Sequence, residues 1–225
     1  MQEKDGKICS SFNDIIKATS EYYTEKINSH GASNLGVDWN SEASQRLRYD
    51  QLSKILPLNG QPFSVCDYGC GYGYYRKYLD EHKFQARYIG IDISQAMIDE
   101  ACRIYKNRPD ASFLLSSDIP EQVDFAVASG IFNVKNETPI STWEKYVFRI
   151  IDELNAKTRY GFSFNCLTKY SDADHMKGYL YYPDPCLYFD YCKRNFSRNV
   201  ALLHDYELYE FTILVRKQYV TGERS

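Results

Sequence analysis

Val65-Cys66-Asp67-Tyr68-Gly69-Cys70-Gly71-Tyr72-Gly73 decides how the chain is read. It begins inside the apolar run Phe63–Tyr68, which has the length and composition of a buried strand, and runs into the amphipathic segment Tyr74–His82, read as a helix. Glycines at 69, 71 and 73 let the backbone turn sharply and approach a ligand with no side chain in the way. The helix that follows points its free N–H groups at the same place. A dinucleotide fingerprint requires glycine at 74, which is tyrosine here. An acid at 67 would also repel a pyrophosphate, whereas beside an ammonium group it is useful.

Outward from this loop, short apolar runs alternate with amphipathic segments. Arg87–Ile93 is expected to be a strand and Gln95–Tyr105 a helix with Ala96, Met97, Ala101 and Ile104 inward. Ser112–Leu115 and Val123–Ala128 read as strands, Thr142–Leu154 as a helix and Tyr160–Leu167 as a strand. Such alternation implies a parallel sheet covered by helices on both faces. After a helix at 187–195, Asn199–His204 and Leu208–Arg216 are separated by too few residues for a parallel crossover, so they form an antiparallel hairpin. The expected fold is α/β: a Rossmann-like seven-stranded sheet, mostly parallel, closed by a C-terminal antiparallel hairpin. Ahead of it lie an imperfect helical stripe over 11–29 and a second helix opening at Ser41, with Leu47, Leu52, Ile55 and Leu56 as its apolar face and Pro57 as its stop.

Two further acids follow in register with the loop. Asp92 closes Tyr88-Ile89-Gly90-Ile91-Asp92, and Asp118 follows the third strand in Ser116-Ser117-Asp118-Ile119-Pro120. With D-x-G-x-G-x-G after the first strand, this order resembles the class I S-adenosylmethionine-dependent methyltransferases over about residues 60–217. The resemblance implies a cofactor, S-adenosyl-L-methionine, and no metal. It implies that Asp67, Gly69, Gly71 and Gly73 surround the cofactor, that Asp92 binds its ribose hydroxyls, and that Asp118 meets the adenine amine. Ile93 and Ile119 then flank the ring, Met97 joins them, and Ser129, after the fourth strand, stands beside the methyl donor. Trp39, Gln45 and Arg48 are expected to close over the methionine end. Residues 1–58 form a helical cap, residues 59–225 the catalytic domain, and about 168–186 an insertion on the acceptor side, where so long a loop usually has a function.

Composition narrows the acceptor. The chain has 225 residues, a formal net charge of −3, 44% hydrophobic and 25% charged residues, an ordinary globular balance without the basic excess that nucleic-acid binding needs. The Asn/Asp-Pro-Pro-Tyr/Phe signature of base and glutamine methylation is missing: Ser129-Gly130-Ile131-Phe132 stands in its place. Seven cysteines without a C-x-x-C pair fit a reducing compartment. The polar, acidic N-terminus carries no signal core, so a cytoplasmic protein is expected, without a membrane span and with a homodimer as an open option. Twenty-one tyrosines, several of them clustered, suit the wall of a pocket for a polar organic ligand.

The remaining default is a small polar metabolite. The GIFNVK, FNCLTKY and HDYELYEFTILV segments resemble stand-alone methyltransferases of bacterial surface-polysaccharide gene clusters, which implies O-methylation of a sugar-nucleotide or related phosphorylated precursor. Asn133, Tyr181 and Tyr182 are then expected at the acceptor. His204 is expected to be the general base, with Asp184, Asp172 and Tyr181 in reserve. Two alternatives stay open, a binding protein that transfers nothing and an aminopropyl transferase; the latter would need acids where Ser129–Asn133 is uncharged.

Overall fold

Seven strands form one sheet in the order β3-β2-β1-β4-β5-β7-β6. They are β1 (Phe63–Tyr68), β2 (Ala86–Asp92), β3 (Ala111–Leu115), β4 (Val123–Ala128), β5 (Thr158–Leu167), β6 (Asn199–Leu203) and β7 (Glu210–Arg216). The first five run parallel, and β7 lies antiparallel between β5 and β6. The expected Rossmann-like sheet with its antiparallel ending is therefore the one observed. The structure is a computed structural model that describes residues 11–39, 41–57 and 59–217. Cys9 and the N-terminal residues used above for localisation lie outside the described residues.

The helices are α1 (Phe12–His30), α2 (Glu42–Leu52), α3 (Tyr74–Glu81), α4 (Gln95–Ile104), α5 (Ile140–Lys157) and α6 (Pro185–Asn195). The pleat of β1 sorts its side chains between two cores. Cys66 and Tyr68 pack with α5 residues Trp143, Val147 and Ile151. Phe63 and Val65 face the opposite layer, with Leu52, Tyr75 and Leu79. Cys66 and Cys166, both fully buried, act as small apolar residues.

Two helix faces differ from expectation. In α4, Ile98 is buried with Met97 and Ala101, while Ile104, the last helical residue, is 40% exposed. α2 stops at Leu52 and tightens into a 3₁₀ turn over Ser53–Ile55. Its buried face is largely polar, with Gln45, Arg48, Tyr49 and Gln51 covered while Leu47 is only half-buried. Leu52, Ile55 and Leu56 do pack in the core as expected, while Gln45 and Tyr49 border one cavity at the carboxyl end of the sheet and Arg48 a second. No described helix is long and apolar enough to cross a membrane.

Candidate functional site

The carboxyl ends of β1 and β2 open onto a cleft with about 820 Å³ of unfilled space, open solvent included. Parallel pairing of Asp67 with Gly90 and Tyr68 with Ile91 brings the glycine loop beside the end of β2. Gly69 and Cys70 donate to the Ile91 carbonyl at 2.8 and 2.9 Å. Gly71 N–H donates to Asp92 Oδ2 at 2.9 Å, and Ser94 N–H to Asp92 Oδ1 at 2.8 Å. Asp92 thus builds the loop as well as facing the cleft. The loop needs its glycines: at Gly69 (φ +76°) a Cβ would lie 2.3 Å from Ile131.

Asp67 sits at the floor of this cleft, 3% exposed, and accepts from the Tyr88 hydroxyl at 2.6 Å. Burial pushes its carboxyl up to about 7; the Tyr88 hydrogen bond opposes the shift and the neighbouring Asp92 charge adds to it. Burial also raises Asp92, against the N–H groups of Ser94, Gly71 and Ile93. Two buried acids that pay to ionise favour a ligand carrying positive charge. Ser129 Oγ and Gln45 Oε1 border the same cleft, buried and without hydrogen-bond partners among the described residues. A polar, partly cationic ligand satisfies all four groups.

Asp67, Gly69, Gly71, Asp92, Ile93, Met97 and Ser129 all border the cleft. Other expected residues do not. Gly73 (φ +83°) begins α3 instead, and its missing side chain lets Phe113 and Tyr105 pack close, at 2.8 and 2.9 Å from where a Cβ would stand. Asp118 is exposed and Ile119 is buried, and neither borders the cleft. The turn there closes on itself through Ser116 Oγ and the Asp118 carbonyl, and onto α5 through Ile119 N–H and Glu153; Ser116 is its cleft residue. Thr19 and Tyr146 also line the wall. No sequence signal marked them, whereas Tyr23, Tyr72 and Tyr74, which also line it, belong to the tyrosine clusters Tyr22-Tyr23 and Tyr72 with Tyr74-Tyr75.

A second, polar cavity adjoins the first, with about 960 Å³ of unfilled space including open solvent. Tyr23, Val37, Trp39 and Gly130 border both. The Trp39 ring lies so close over Gly130 (φ +73°) that a Cβ there would fall 2.3 Å from it. Asn133 and Tyr182 border this second cavity, together with Lys177 and His175 of the 168–186 segment, Tyr209, and Glu210 at the start of β7. Arg48 borders it too, and not the first cleft. Asn133 Oδ1 accepts from Leu167 N–H at 3.1 Å, and its carbonyl accepts from Tyr181 N–H at 2.8 Å.

Three expected residues stand apart. Tyr181 is 3% exposed, its hydroxyl fixed between Glu144 and Tyr188 at 3.1 and 2.9 Å; it is a core residue. Asp184 caps α6 by accepting from Cys186 N–H at 2.9 Å and pairs with Lys169 at 2.7 Å, which holds its carboxyl below the usual value. His204 is exposed beyond the edge strand β6, with its ring 5.8 Å from that of Tyr170, and borders neither cavity. The edge position explains it: β7, not β6, lies next to β5, so β7 delivers Glu210 to the cavity. Of the reserves, Asp172 accepts from the Tyr209 hydroxyl. With exposed Asp174 and His175 it brings ligand-type atoms within 4.8 Å, an arrangement ordinary surface carboxylates share.

Comparison with known proteins agrees with this geometry. The methyltransferase-domain family profile matches residues 65–152, from the glycine loop into α5. The chain is 52% identical over 156 residues to "Putative methyltransferase Rv1506c" of Mycobacterium tuberculosis (strain ATCC 25618 / H37Rv), covering 69% of this chain and 94% of that protein. In fold it is similar to the Burkholderia thailandensis 1,6-didemethyltoxoflavin-N1-methyltransferase, solved with its substrate and S-adenosylhomocysteine, with a TM-score of 0.63 and 17% identity over 96% of this chain and 93% of that one. It also resembles the N-methyltransferase NodS of Bradyrhizobium japonicum WM9 with S-adenosylhomocysteine, at a TM-score of 0.61 and 14% identity over 89% and 99%. A glycine loop braced by a buried acid, on this sheet order and with this relative, has one meaning: the chain belongs to the class I S-adenosylmethionine-dependent methyltransferases.

Proposed function

We propose that the two cavities divide the reaction between them, the first holding S-adenosylmethionine and the second a small hydroxyl-bearing acceptor. The observation that carries this reading is their junction at Trp39 and Gly130, a seam between a cleft with buried acids and a polar chamber. Asp67 then faces the ammonium end of the cofactor, Asp92 its ribose hydroxyls, and Ile93 and Met97 its adenine. The cofactor supplies an electrophilic methyl carbon. The protein contributes chiefly positioning, which can remove on the order of 7–11 kcal/mol of barrier.

The acceptor in this reading is a sugar-nucleotide or related phosphorylated surface-polysaccharide precursor, methylated on oxygen. Lys177 supports a phosphorylated ligand, since it borders the second cavity and forms no ion pair among the described residues. An alcohol needs a base, and the cavity's acids are already engaged. Asp38 accepts from Lys26 and Tyr22 at 2.6 and 2.7 Å, and Glu210 accepts from Arg48 and Asn165. His175 borders the same cavity, and we assign it the proton-accepting role expected of His204. Residues up to 58 serve as the cap of a catalytic domain spanning 59–225. In support, Ser20 Oγ donates to the Ile93 carbonyl at 2.8 Å, and Thr24 Oγ1 bonds Ser94 Oγ at 2.8 Å. Residues 168–186 wall the acceptor.

The test is methyl transfer from labelled S-adenosylmethionine to UDP-glucose, GDP-mannose and dTDP-rhamnose, beside phosphoethanolamine and spermidine. Label appearing as a methyl ether on a nucleotide sugar is expected. Label confined to the amines refutes the oxygen acceptor.

A further inference from the structure

Arg48 and Glu210 come from opposite ends of the described chain and meet between the second cavity and the core. Arg48 is 8% exposed, and its Nε and Nη2 donate to the Glu210 carboxylate over three contacts of 2.6–2.9 Å. The guanidinium lies over Trp39, with Cζ 3.9 Å from the ring centroid. Its remaining nitrogen, Nη1, is buried and has no hydrogen-bond partner among the described residues. A buried donor left unpaired is costly and therefore rare, more so on a charged group. Nε and Nη2 both reach the Glu210 carboxylate, so the nitrogen without a partner is Nη1 alone.

The carboxylate leads on to the seam. Glu210, 1% exposed, also accepts from Asn165 Nδ2 at 2.6 Å, and Asn165 Oδ1 accepts from Gly130 N–H at 2.7 Å. One chain of hydrogen bonds thus runs from Arg48 to the glycine that borders both cavities, while the Arg48 plane packs on the tryptophan that borders both. Charge on Arg48 is balanced by Glu210, so Nη1 offers N–H donors without net attraction for an anion. A neutral oxygen suits it best.

We propose that Arg48 is an acceptor-positioning residue: Nη1 receives an uncharged oxygen of the acceptor, such as a second sugar hydroxyl, and the Glu210–Asn165–Gly130 chain fixes that contact relative to the methyl donor. This rests on the reading of the second cavity as the acceptor site. Glu210 is not the base, because its oxygens are occupied; it holds the donor in place.

The test reads binding. UDP-glucose is titrated by calorimetry into protein saturated with S-adenosylhomocysteine, in the wild type, in Arg48→Lys and in the double variant Arg48→Met/Glu210→Gln. Arg48→Lys keeps the charge but loses the planar fork. The double variant replaces the pair by neutral groups, which avoids a stranded buried charge and keeps an oxygen for Asn165. The expected result is at least tenfold weaker UDP-glucose binding in both variants, with S-adenosylhomocysteine affinity within twofold of wild type. Wild-type affinity for UDP-glucose in a folded variant overturns the role of Arg48 and leaves the sugar-nucleotide reading standing. A parallel loss of S-adenosylhomocysteine affinity also overturns it, by making the pair a structural support of the whole site. A wild type that does not bind UDP-glucose refutes the sugar-nucleotide reading together with the contact built on it.

Discussion

The Tyr88 hydroxyl donates to Asp67 across adjacent strands at 2.6 Å, and it is the only side-chain hydrogen bond found for this buried carboxyl among the described residues. One neutral donor does not offset the lost hydration of a carboxylate, so burial pushes Asp67 up to about 7. Unfolded, the same group ionises near 4. Its contribution to folding is therefore fully present below about pH 4 and is lost as pH rises through 7. Asp67→Asn keeps an acceptor for Tyr88 and cannot ionise. In the absence of cofactor the variant should gain on the wild type between pH 4 and 7, by on the order of 3 kcal/mol at the upper end. Urea denaturation at pH 4, 5.5 and 7.5 measures this, and a difference that does not change with pH refutes it.

Asp92 carries two loads. Removing its carboxylate in Asp92→Ala leaves Gly71 and Ser94 N–H groups without acceptors as well as taking away the partner proposed for the ribose. Hydrogen bonds to a charged group contribute about 1.5–3 kcal/mol each. S-adenosylhomocysteine affinity should fall at least tenfold, by calorimetry. An unchanged dissociation constant would remove Asp92 from the cofactor site.

For the proton acceptor, two histidines are set against each other. His175→Asn should lower turnover by about 10²-fold or more while cofactor affinity holds. His204→Asn should leave turnover per folded molecule unchanged, because its ring borders neither cavity. Asp184→Ala should cost about 1 kcal/mol of stability through the lost helix cap, again without loss of turnover. Steady-state rates corrected for the folded fraction separate the three, and a turnover defect in His204→Asn would reinstate it.

Gly130 is where a single methyl group should matter most. With φ at +73° and Trp39 2.3 Å from the added Cβ, Gly130→Ala must displace the indole. We expect about 1–3 kcal/mol of destabilisation, as for other overpacked sites, a shift in tryptophan emission, and a fall in kcat larger than the loss of cofactor affinity. Wild-type emission together with a wild-type kcat would show that the seam tolerates more than its geometry implies.

The strands were legible because each rests on local pattern: β1 and β4 fall at the residues their apolar runs mark. Asp67 and Asp92 were legible for a related reason, since strand ends in a parallel sheet converge on one edge. Side-chain aim was not. Ser116 faces the cleft where Asp118 was expected, because the turn between them closes through its own hydrogen bonds. His204 was misplaced by one strand of sheet order: the hairpin was readable, but not that β7 lies inside β6. Arg48 was expected over the methionine end of the cofactor, but Glu210, 162 positions away, holds it at the second cavity. Nothing local encodes a pair of that separation.

The place of β7 inside the sheet makes β6 dependent on a strand that follows it in sequence. Strands β1 to β5 pair with one another, but β6 has a single neighbour in the sheet, and that neighbour follows it in sequence. Without residues 210–216, β6 has no partner strand and the Arg48 guanidinium lacks its carboxylate. β7 therefore completes two things at once: it ties β6 into the sheet and it brings the Glu210 carboxylate to the acceptor-side cavity.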